Sequence, residues 1–359
     1  MESIVERAAG LYRSESGRLA LCAVCTGLLT ACTIYGYQAG EQHRRSSSAH
    51  HRAVENAQRP HDSIQLNAVG GPATKDSSAP MSEELIREQL SRNYLFFGDE
   101  SMEKIRSSFV VVVGVGGVGS WTATMLVRSG VQKIRIIDFD QVTLSSLNRH
   151  ACATLADVGT SKVLTLQRYL EKVAPWVQVE CRNDLFREED ADSLLEPWSG
   201  TQQKPDFVID AIDNIETKAD LLAYCVHHDL PVVASMGAAL KSDPTRIYLS
   251  DISETFEDPL SRATRRHLKL RGIHSGIPVI YSTEKPGPGK AKLEPIEQSV
   301  YEAGEISELG ILPDFRARIL PVLGTMPPIF GLSLVTYVLT TMAGYPTPST
   351  KVSKTRRSL

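Results

Sequence analysis

The amino-acid sequence predicts an α/β protein, a doubly wound and mostly parallel sheet, with an N-terminal membrane-anchor helix set apart from it. Three observations predict this. From residue 109 onward, short β-branched runs alternate with helical stretches, the pattern of a parallel sheet with crossover helices. The first of these runs, Phe109 to Val113, leads directly into a glycine-rich turn. Leu19 to Ala39 holds 21 residues without a charge, about the length needed to span a bilayer.

Taken in order, the anchor run follows Arg18 and precedes His43, Arg44 and Arg45. A buried core helix and a cleaved signal peptide are the competing readings. A mitochondrial presequence avoids acids, and Glu2, Glu6 and Glu15 stand in this leader. Residues 41–80 are polar and punctuated by Ser46, Ser47, Ser48, Pro60, Gly70, Gly71, Pro72 and Pro80, which predicts a flexible linker. The main domain is expected over residues 81–345, with a polar tail at 346–359. Ser82 and Glu83 open a helix running to Arg92. Strands are predicted at Phe109–Val113, Lys133–Asp138, Val177–Cys181, Phe207–Asp210 and Pro231–Ala234. Helices are predicted at Ser120–Ser129, Ser161–Val173 and Lys218–His228. Ile319 to Gly344 is a second apolar stretch, read either as a membrane span or as a helix from Ile329 to Met342 packed on the sheet.

Composition narrows the function. With 39 basic and 42 acidic residues the net charge is −3, so a long basic track for nucleic acid is excluded and any such contact must be local. Of the six cysteines, Cys152, Cys181 and Cys225 are isolated, as free thiols in a reducing compartment are. Cys22 and Cys25 form a C-x-x-C inside the apolar run, and no second pair follows to complete a zinc site.

Gly114-Val-Gly116-Gly117-Val-Gly119 sits between a strand and a helix, where backbone N–H groups can bind phosphate. Asp138 ends the next strand, 19 residues after Gly119, where an acid can bond a ribose hydroxyl. These features fit dinucleotide and ATP folds alike. Arg149 and Lys162 add two cations, which suits a triphosphate. Asp210-Ala-Ile-Asp213-Asn214 ends another strand, where a carboxylate can hold Mg²⁺.

This order, G-x-G-G-x-G, Asp138-Phe-Asp140, Asn148-Arg149, Lys162 and Asp210-x-x-Asp213-Asn214, resembles the Rossmann-like ThiF/MoeB/ubiquitin-activating superfamily over roughly residues 88–345. The resemblance implies an ATP- and Mg²⁺-dependent adenylation domain. It places Gly116 and Gly117 at phosphate, Asp138 at ribose, Arg149 and Lys162 at phosphates, and Asp213 at Mg²⁺. Gly114, Gly119, Asp140, Ser146, Asn148 and Asn214 complete the expected cofactor set. Ser146 stands where relatives often carry Asn. The resemblance also implies a homodimer in which Arg92 reaches the partner's ATP.

Ubiquitin-activating members add a catalytic cysteine and act on a ubiquitin-fold partner, and MoeB-like members usually carry two C-x-x-C zinc pairs; this sequence is read as having neither feature. The stretches Ala223-Tyr224-Cys225, Gly237-Ala238-Ala239, Asp243-Pro244-Thr245, Asp251-Ile252-Ser253-Glu254-Thr255, Asp258-Pro259-Leu260, Tyr281-Ser282-Thr283-Glu284 and Ile319–Met326 resemble the TcdA/CsdL dehydratases and their fungal relatives. That likeness implies dehydration of threonylcarbamoyladenosine at position 37 of tRNA, and a mitochondrial outer-membrane location with the body in the cytosol. Arg262, Arg265, Arg266, Lys269 and Arg271 are the expected tRNA contacts, with Lys285, Lys290 and Lys292 beside them. Three other readings stay open: an activator of a sulfur-carrier or ubiquitin-like protein, a tethered nucleotide-binding scaffold, and an NAD oxidoreductase.

Overall fold

The computed structural model describes residues 81–285, 287, 289–291, 294–295 and 318–346. The apolar run 19–39, the linker 41–80, the Cys22/Cys25 pair, Lys292 and the tail from residue 347 lie outside the described residues.

Three short helices come first: α1 Glu83–Gln89, α2 Ser91–Phe97 and α3 Asp99–Ser107. Ser82 caps α1, accepting from the Leu85 N–H at 3.4 Å. The single helix expected up to Arg92 is thus broken: the chain turns at Leu90, and again at Gly98, whose φ of 81° suits glycine. The turns let Ile86, Leu90, Met102 and Ile105 all reach the core, which one straight helix could not do.

The sheet follows. Its strands are β1 Phe109–Val113, β2 Lys133–Ile137, β3 Gln178–Arg182, β4 Phe207–Asp210, β5 Val232–Ser235, β6 Ile247–Asp251 and β7 Pro278–Ser282, in the spatial order β3-β2-β1-β4-β5-β7-β6. All pairings are parallel except β6 with β7. The helices are α4 Gly119–Arg128, α5 Lys162–Val173, the short α6 Ala191–Leu194, α7 Ile215–His227, α8 Pro259–Leu270 and α9 Met326–Met342. A two-stranded ribbon, β8 Glu294–Pro295 with β9 Arg318–Ile319, precedes α9.

Alternation along β1 explains the double winding. Val110 and Val112 point into one cluster with α4, α5 and α9, while Phe109, Val111 and Val113 point into another with α6, α7 and α8. The strand-ordering reversal falls between β1 and β4, so their carboxyl ends form the crevice where such sheets bind ligands.

The first four sheet strands lie within one residue of expectation. β6 and β7 were not set out as elements by the sequence. The span reading of residues 319–344 is overturned in the described part: α9 has 17 residues, and Met326, Phe330, Leu334, Val335 and Val338 are core. No helix among the described residues is long and apolar enough to cross a membrane. Pro327 and Pro328 sit in the first turn of α9, where a missing N–H costs no hydrogen bond.

Candidate active site

The glycine turn is shaped by close approach. Gly114 has φ of 85°, and a Cβ there would lie 2.9 Å from the Ala211 carbonyl oxygen of the adjoining strand end. A Cβ on Gly119 would fall 1.7 Å from the Gly114 carbonyl oxygen, so any side chain would force the turn apart. At Gly116 nothing lies within 4 Å, leaving an open cradle at the α4 N-terminus. Gly117 instead makes room for protein: a Cβ would meet Arg149 Cγ at 2.9 Å and Pro327 Cβ at 3.0 Å. Arg149 therefore lies against the glycine turn.

The segment carrying Arg149 is pinned by α4. Trp121 Nε1 donates to the Arg149 carbonyl at 3.0 Å, and Ser120 Oγ accepts from the Ala151 N–H at 3.1 Å. The guanidinium donates to Ser145 O at 2.7 Å and Asn148 Oδ1 at 3.0 Å. His150, next in sequence, is buried; its Nδ1 accepts from the Ala153 N–H at 3.2 Å. Burial, then Lys162, pulls the imidazole down to about 4. Trp121, Ser120 and His150 were not among the expected site residues, because their roles come from tertiary contact and not from a motif.

The acids divide. Asp138 is buried and accepts from the Val115 N–H at 2.7 Å and the Asp140 N–H at 2.8 Å, bracing the turn from below. Burial pushes its carboxyl up, against the pull of Lys162. Asp140 pairs with Lys162 Nζ at 2.7 Å, at the first residue of α5. Asp213 is exposed just beyond β4. Asn214 is the N-cap of α7, accepting from the Glu216 and Thr217 N–H groups at 3.0 and 3.1 Å, so its side-chain oxygen is committed to the helix and not to a cofactor. Ser146 also departs from expectation: it is buried, and its hydroxyl lies 2.8 Å from Thr143 Oγ1 in a capping box instead of facing a ligand.

One buried pair escaped the sequence reading. Lys218 Nζ meets Asp210 Oδ2 at 2.6 Å and the Ser235 carbonyl at 2.9 Å, with both side chains fully buried. It ties β4 to β5 beneath Asp213. Only the i to i+8 spacing across the strand end hinted at it.

A second contribution arrives from far along the chain. Val322 O accepts from Asn148 Nδ2 at 3.3 Å, and Pro321 O accepts from the Leu240 N–H at 3.0 Å. A Cβ on Gly324 would lie 2.3 Å from the Asn148 carbonyl oxygen. The tract before α9 thus joins the Asn148–Arg149 turn to the loop after β5.

Arg92 is not brought to these residues within the chain. Its neighbour Asn93 donates to the Ser129 carbonyl at 3.1 Å, at the end of α4 remote from the glycine turn. The basic helix is also narrower than expected. Arg265 turns inward onto Thr255 and onto Ile252 O at 3.0 Å, and Arg271 pairs with Asp220. Arg262, Arg266 and Lys269 remain exposed. Lys285 pairs with Glu257, and Lys290 with Glu284. Burial raises the Cys152 and Cys181 thiols to about 12 and pushes Cys225 up as well, so none of the three is poised as a thiolate.

A glycine cradle at a helix N-terminus, flanked by Arg149, Lys162 and an exposed Asp213, is an arrangement that can receive the phosphates of a nucleotide. The match to the ThiF family covers residues 90–357. The chain belongs to the ThiF family. It is 50% identical over 285 residues to tRNA threonylcarbamoyladenosine dehydratase 2 of Saccharomyces cerevisiae, covering 79% of this chain and 63% of that one. It is 39% identical over 198 residues to the tRNA threonylcarbamoyladenosine dehydratase of Bacillus subtilis, covering 55% of this chain and 76% of that one. The fold matches Escherichia coli TcdA, solved in complex with ATP, with a TM-score of 0.61, 26% identity, and coverage of 74% of this chain and 98% of that one. This ThiF-family chain thus spans less than two thirds of the yeast relative's length.

Proposed function

We propose that the protein is an ATP-dependent tRNA threonylcarbamoyladenosine dehydratase, acting at position 37. The observation that carries this reading is the open cradle at Gly116 with Arg149 packed against the neighbouring Gly117, in a ThiF-family chain half identical over 285 residues to a yeast enzyme of that name. The open space at Gly116 fits a phosphate, and Arg149 and Lys162 stand beside it to meet negative charge. Mg²⁺ would be held by Asp213 together with the phosphates. No group of three or more acidic, His or Cys ligands exists among the described residues, which suits a magnesium ion held mainly through substrate phosphates.

The chemistry follows from the carboxylate. One of its oxygens attacks the α-phosphorus of ATP, forming an O–P bond as the bond to pyrophosphate breaks. The ureido nitrogen then attacks the acyl carbon; a C–N bond forms, the C–O bond to AMP breaks, and the N–H proton passes to solvent. Because closure is intramolecular, its effective molarity reaches the order of 10⁵ M or more, and no thiol nucleophile is required. The raised thiols of Cys152, Cys181 and Cys225 agree with that. Mass spectrometry of tRNA nucleosides after incubation with ATP and Mg²⁺ should show loss of one water from threonylcarbamoyladenosine. Pyrophosphate release that depends instead on a small protein ending in Gly-Gly would sink the reading.

A homodimer completes the site, with the partner copy supplying Arg92. Support comes from the placement of Arg92 away from its own glycine turn, beside the exposed Leu95 and Phe96 of α2. The run 19–39 is proposed to anchor the chain in the mitochondrial outer membrane, the body facing the cytosol where tRNA and ATP occur. Recovery of the full chain entirely in the soluble fraction after alkaline carbonate treatment would overturn the anchor.

A further inference from the structure

The loop after β5 carries a buried cation that no acid among the described residues contacts through its side chain. Lys241 is 6% exposed, and among the described residues its ammonium meets one acceptor, the Glu284 carbonyl at 2.7 Å. The nearby carboxylates are turned to other donors. Glu284 accepts from the Ser242 N–H at 2.7 Å, Ser242 Oγ at 2.9 Å, the Asp243 N–H at 2.8 Å and Lys290. Asp258 Oδ2 accepts from the Ser261 N–H at 2.7 Å and Ser261 Oγ at 2.6 Å. A buried ammonium so weakly matched is costly for the fold, which is the condition of a group waiting for an anion.

Its loop is held in place with strain. Leu240, just before it, has φ of 61°, a left-handed conformation that an L side chain adopts only under constraint. The constraint is its N–H bond to Pro321 O. Val322, next to Pro321, accepts from Asn148, and Asn148 accepts from Arg149. Lys241 and the phosphate-side arginine are therefore braced through one tract. β5 lies beside β4 in parallel, Asp210 opposite Ala234, so Lys241 and Asp213 leave the sheet at the same edge.

We propose that Lys241 receives the carboxylate of the substrate and presents it to the α-phosphorus. The proposal rests on the ATP-dependent cyclisation reading. ATP occupies the β1, β2 and β4 side of the edge in that reading, so the nucleophile must come from the β5 and β7 side, where Lys241 stands. Burial pulls the Lys241 amine down, partly countered by Asp258 and Glu284 and reinforced by Lys290. An incoming carboxylate supplies the missing counter-charge.

The test uses the full chain and its Lys241→Met variant. Binding is measured for tRNA carrying threonylcarbamoyladenosine, as the free acid and as its methyl ester, in the presence of a non-hydrolysable ATP analogue. The wild type should prefer the acid by about 10- to 100-fold, the range of a charge-assisted hydrogen bond. Lys241→Met should bind acid and ester alike, bind ATP within about twofold of wild type, and unfold at the same temperature or higher, since a buried charge is gone. A variant that keeps the preference for the acid overturns the proposal. Should Lys241→Met fail to fold, Lys241→Gln answers the same question. A wild type that leaves threonylcarbamoyl-tRNA unchanged overturns the dehydratase reading and this assignment with it. Wild-type turnover alongside an undiminished Lys241→Met rate overturns this assignment alone.

Discussion

At the carboxyl ends of β1, β2 and β4 the groups that face a ligand stand partly in solvent: Arg149 and Lys162 are half-buried, and Asn148 and Asp213 are exposed. At the carboxyl ends of β5 and β7 the charges are already inside, with Lys241 at 6%, Asp258 at 3% and Glu284 at 1% exposure. The first region is built for charge that arrives with its own counter-ions. The second has been desolvated in advance. Substitutions in the first region should change chemistry and spare the fold. At the seam between the two regions, stability should fall.

The largest effect sharpens that contrast on its solvated side. Asp213→Ala should lower turnover by about 10³-fold, in the range seen when one electrostatic contact to the reacting group is lost. Asn214, not Asp213, caps α7, so the circular dichroism spectrum and unfolding midpoint should be unchanged. Mixing Asp213→Ala with Arg92→Ala subunits should recover part of the activity through hybrid dimers. Full activity in a folded Asp213→Ala chain would remove it from the machinery. No recovery despite proven subunit exchange would remove Arg92.

The seam comes next. Lys218→Met leaves Asp210 charged and fully buried without its partner, which should cost about 3–5 kcal/mol of stability. Burial already pushes the Asp210 carboxyl up against the pull of Lys218, so the pair is finely opposed. The double change Asp210→Leu with Lys218→Met should be milder than the single one. Equal urea midpoints for Lys218→Met and wild type would break the comparison.

The same contrast explains what the sequence disclosed. The positions of the glycine turn, Asp138, Lys162 and Asp213 were legible because each lies within a few residues of a strand or helix end, while that of Arg149 came from the order of the motifs. Ser146 and Asn214 were misread for the same local reason: their polar side chains close turns and caps that a motif does not reveal. Lys241, Glu284 and the Pro321–Gly324 tract were not legible as a site. Glu284 bonds across more than 40 residues to Ser242 and Asp243, and Asn148 reaches Val322 over 174. Arg265 was expected at tRNA because it stands in one basic run with Arg262 and Arg266; only the loop carrying Ile252 and Thr255 shows that it points inward. The order of β6 and β7 was equally hidden, since an antiparallel edge strand breaks the alternation that betrays a parallel sheet.

His150, like Asp138, is buried within the otherwise solvated region, a titratable ring beside the glycine turn. Its folded pKa of about 4 lies below the ordinary 6.5, so the unfolded chain binds the proton first. The stabilising contribution is complete above 6.5 and is lost as pH falls towards 4. From about pH 8 to about pH 5 the loss should amount to about 2 kcal/mol. Glu284, at about 2, stays ionised over that interval, and the His150→Gln variant separates the ring from Asp138 and Asp210, whose carboxyls burial raises. His150→Gln should flatten the urea midpoint over that interval. An unchanged slope in the variant would assign the acid sensitivity to another group.

The smallest effects belong to α8, where the two kinds of environment meet on one helix. Arg262, Arg266 and Lys269 fall on one exposed face, spaced by one and two helical turns. Ser261, Thr264 and Leu268 on the opposite side are buried, and Arg265 is spent on the carbonyls of Ile252 and Thr255. If the exposed face meets tRNA phosphates, each Ala substitution there should weaken binding a few-fold and reduce the salt dependence by about one counter-ion, without altering discrimination between tRNAs. Arg265→Ala should do the reverse, lowering the unfolding midpoint while leaving the salt slope alone. The slope is the deciding quantity, because a destabilised protein loses affinity at every salt concentration alike, whereas a lost phosphate contact changes how affinity responds to salt. Identical slopes for wild type and the Arg262→Ala, Arg266→Ala, Lys269→Ala triple variant would leave that face merely solvated, and the RNA would then have to be gripped elsewhere along the edge.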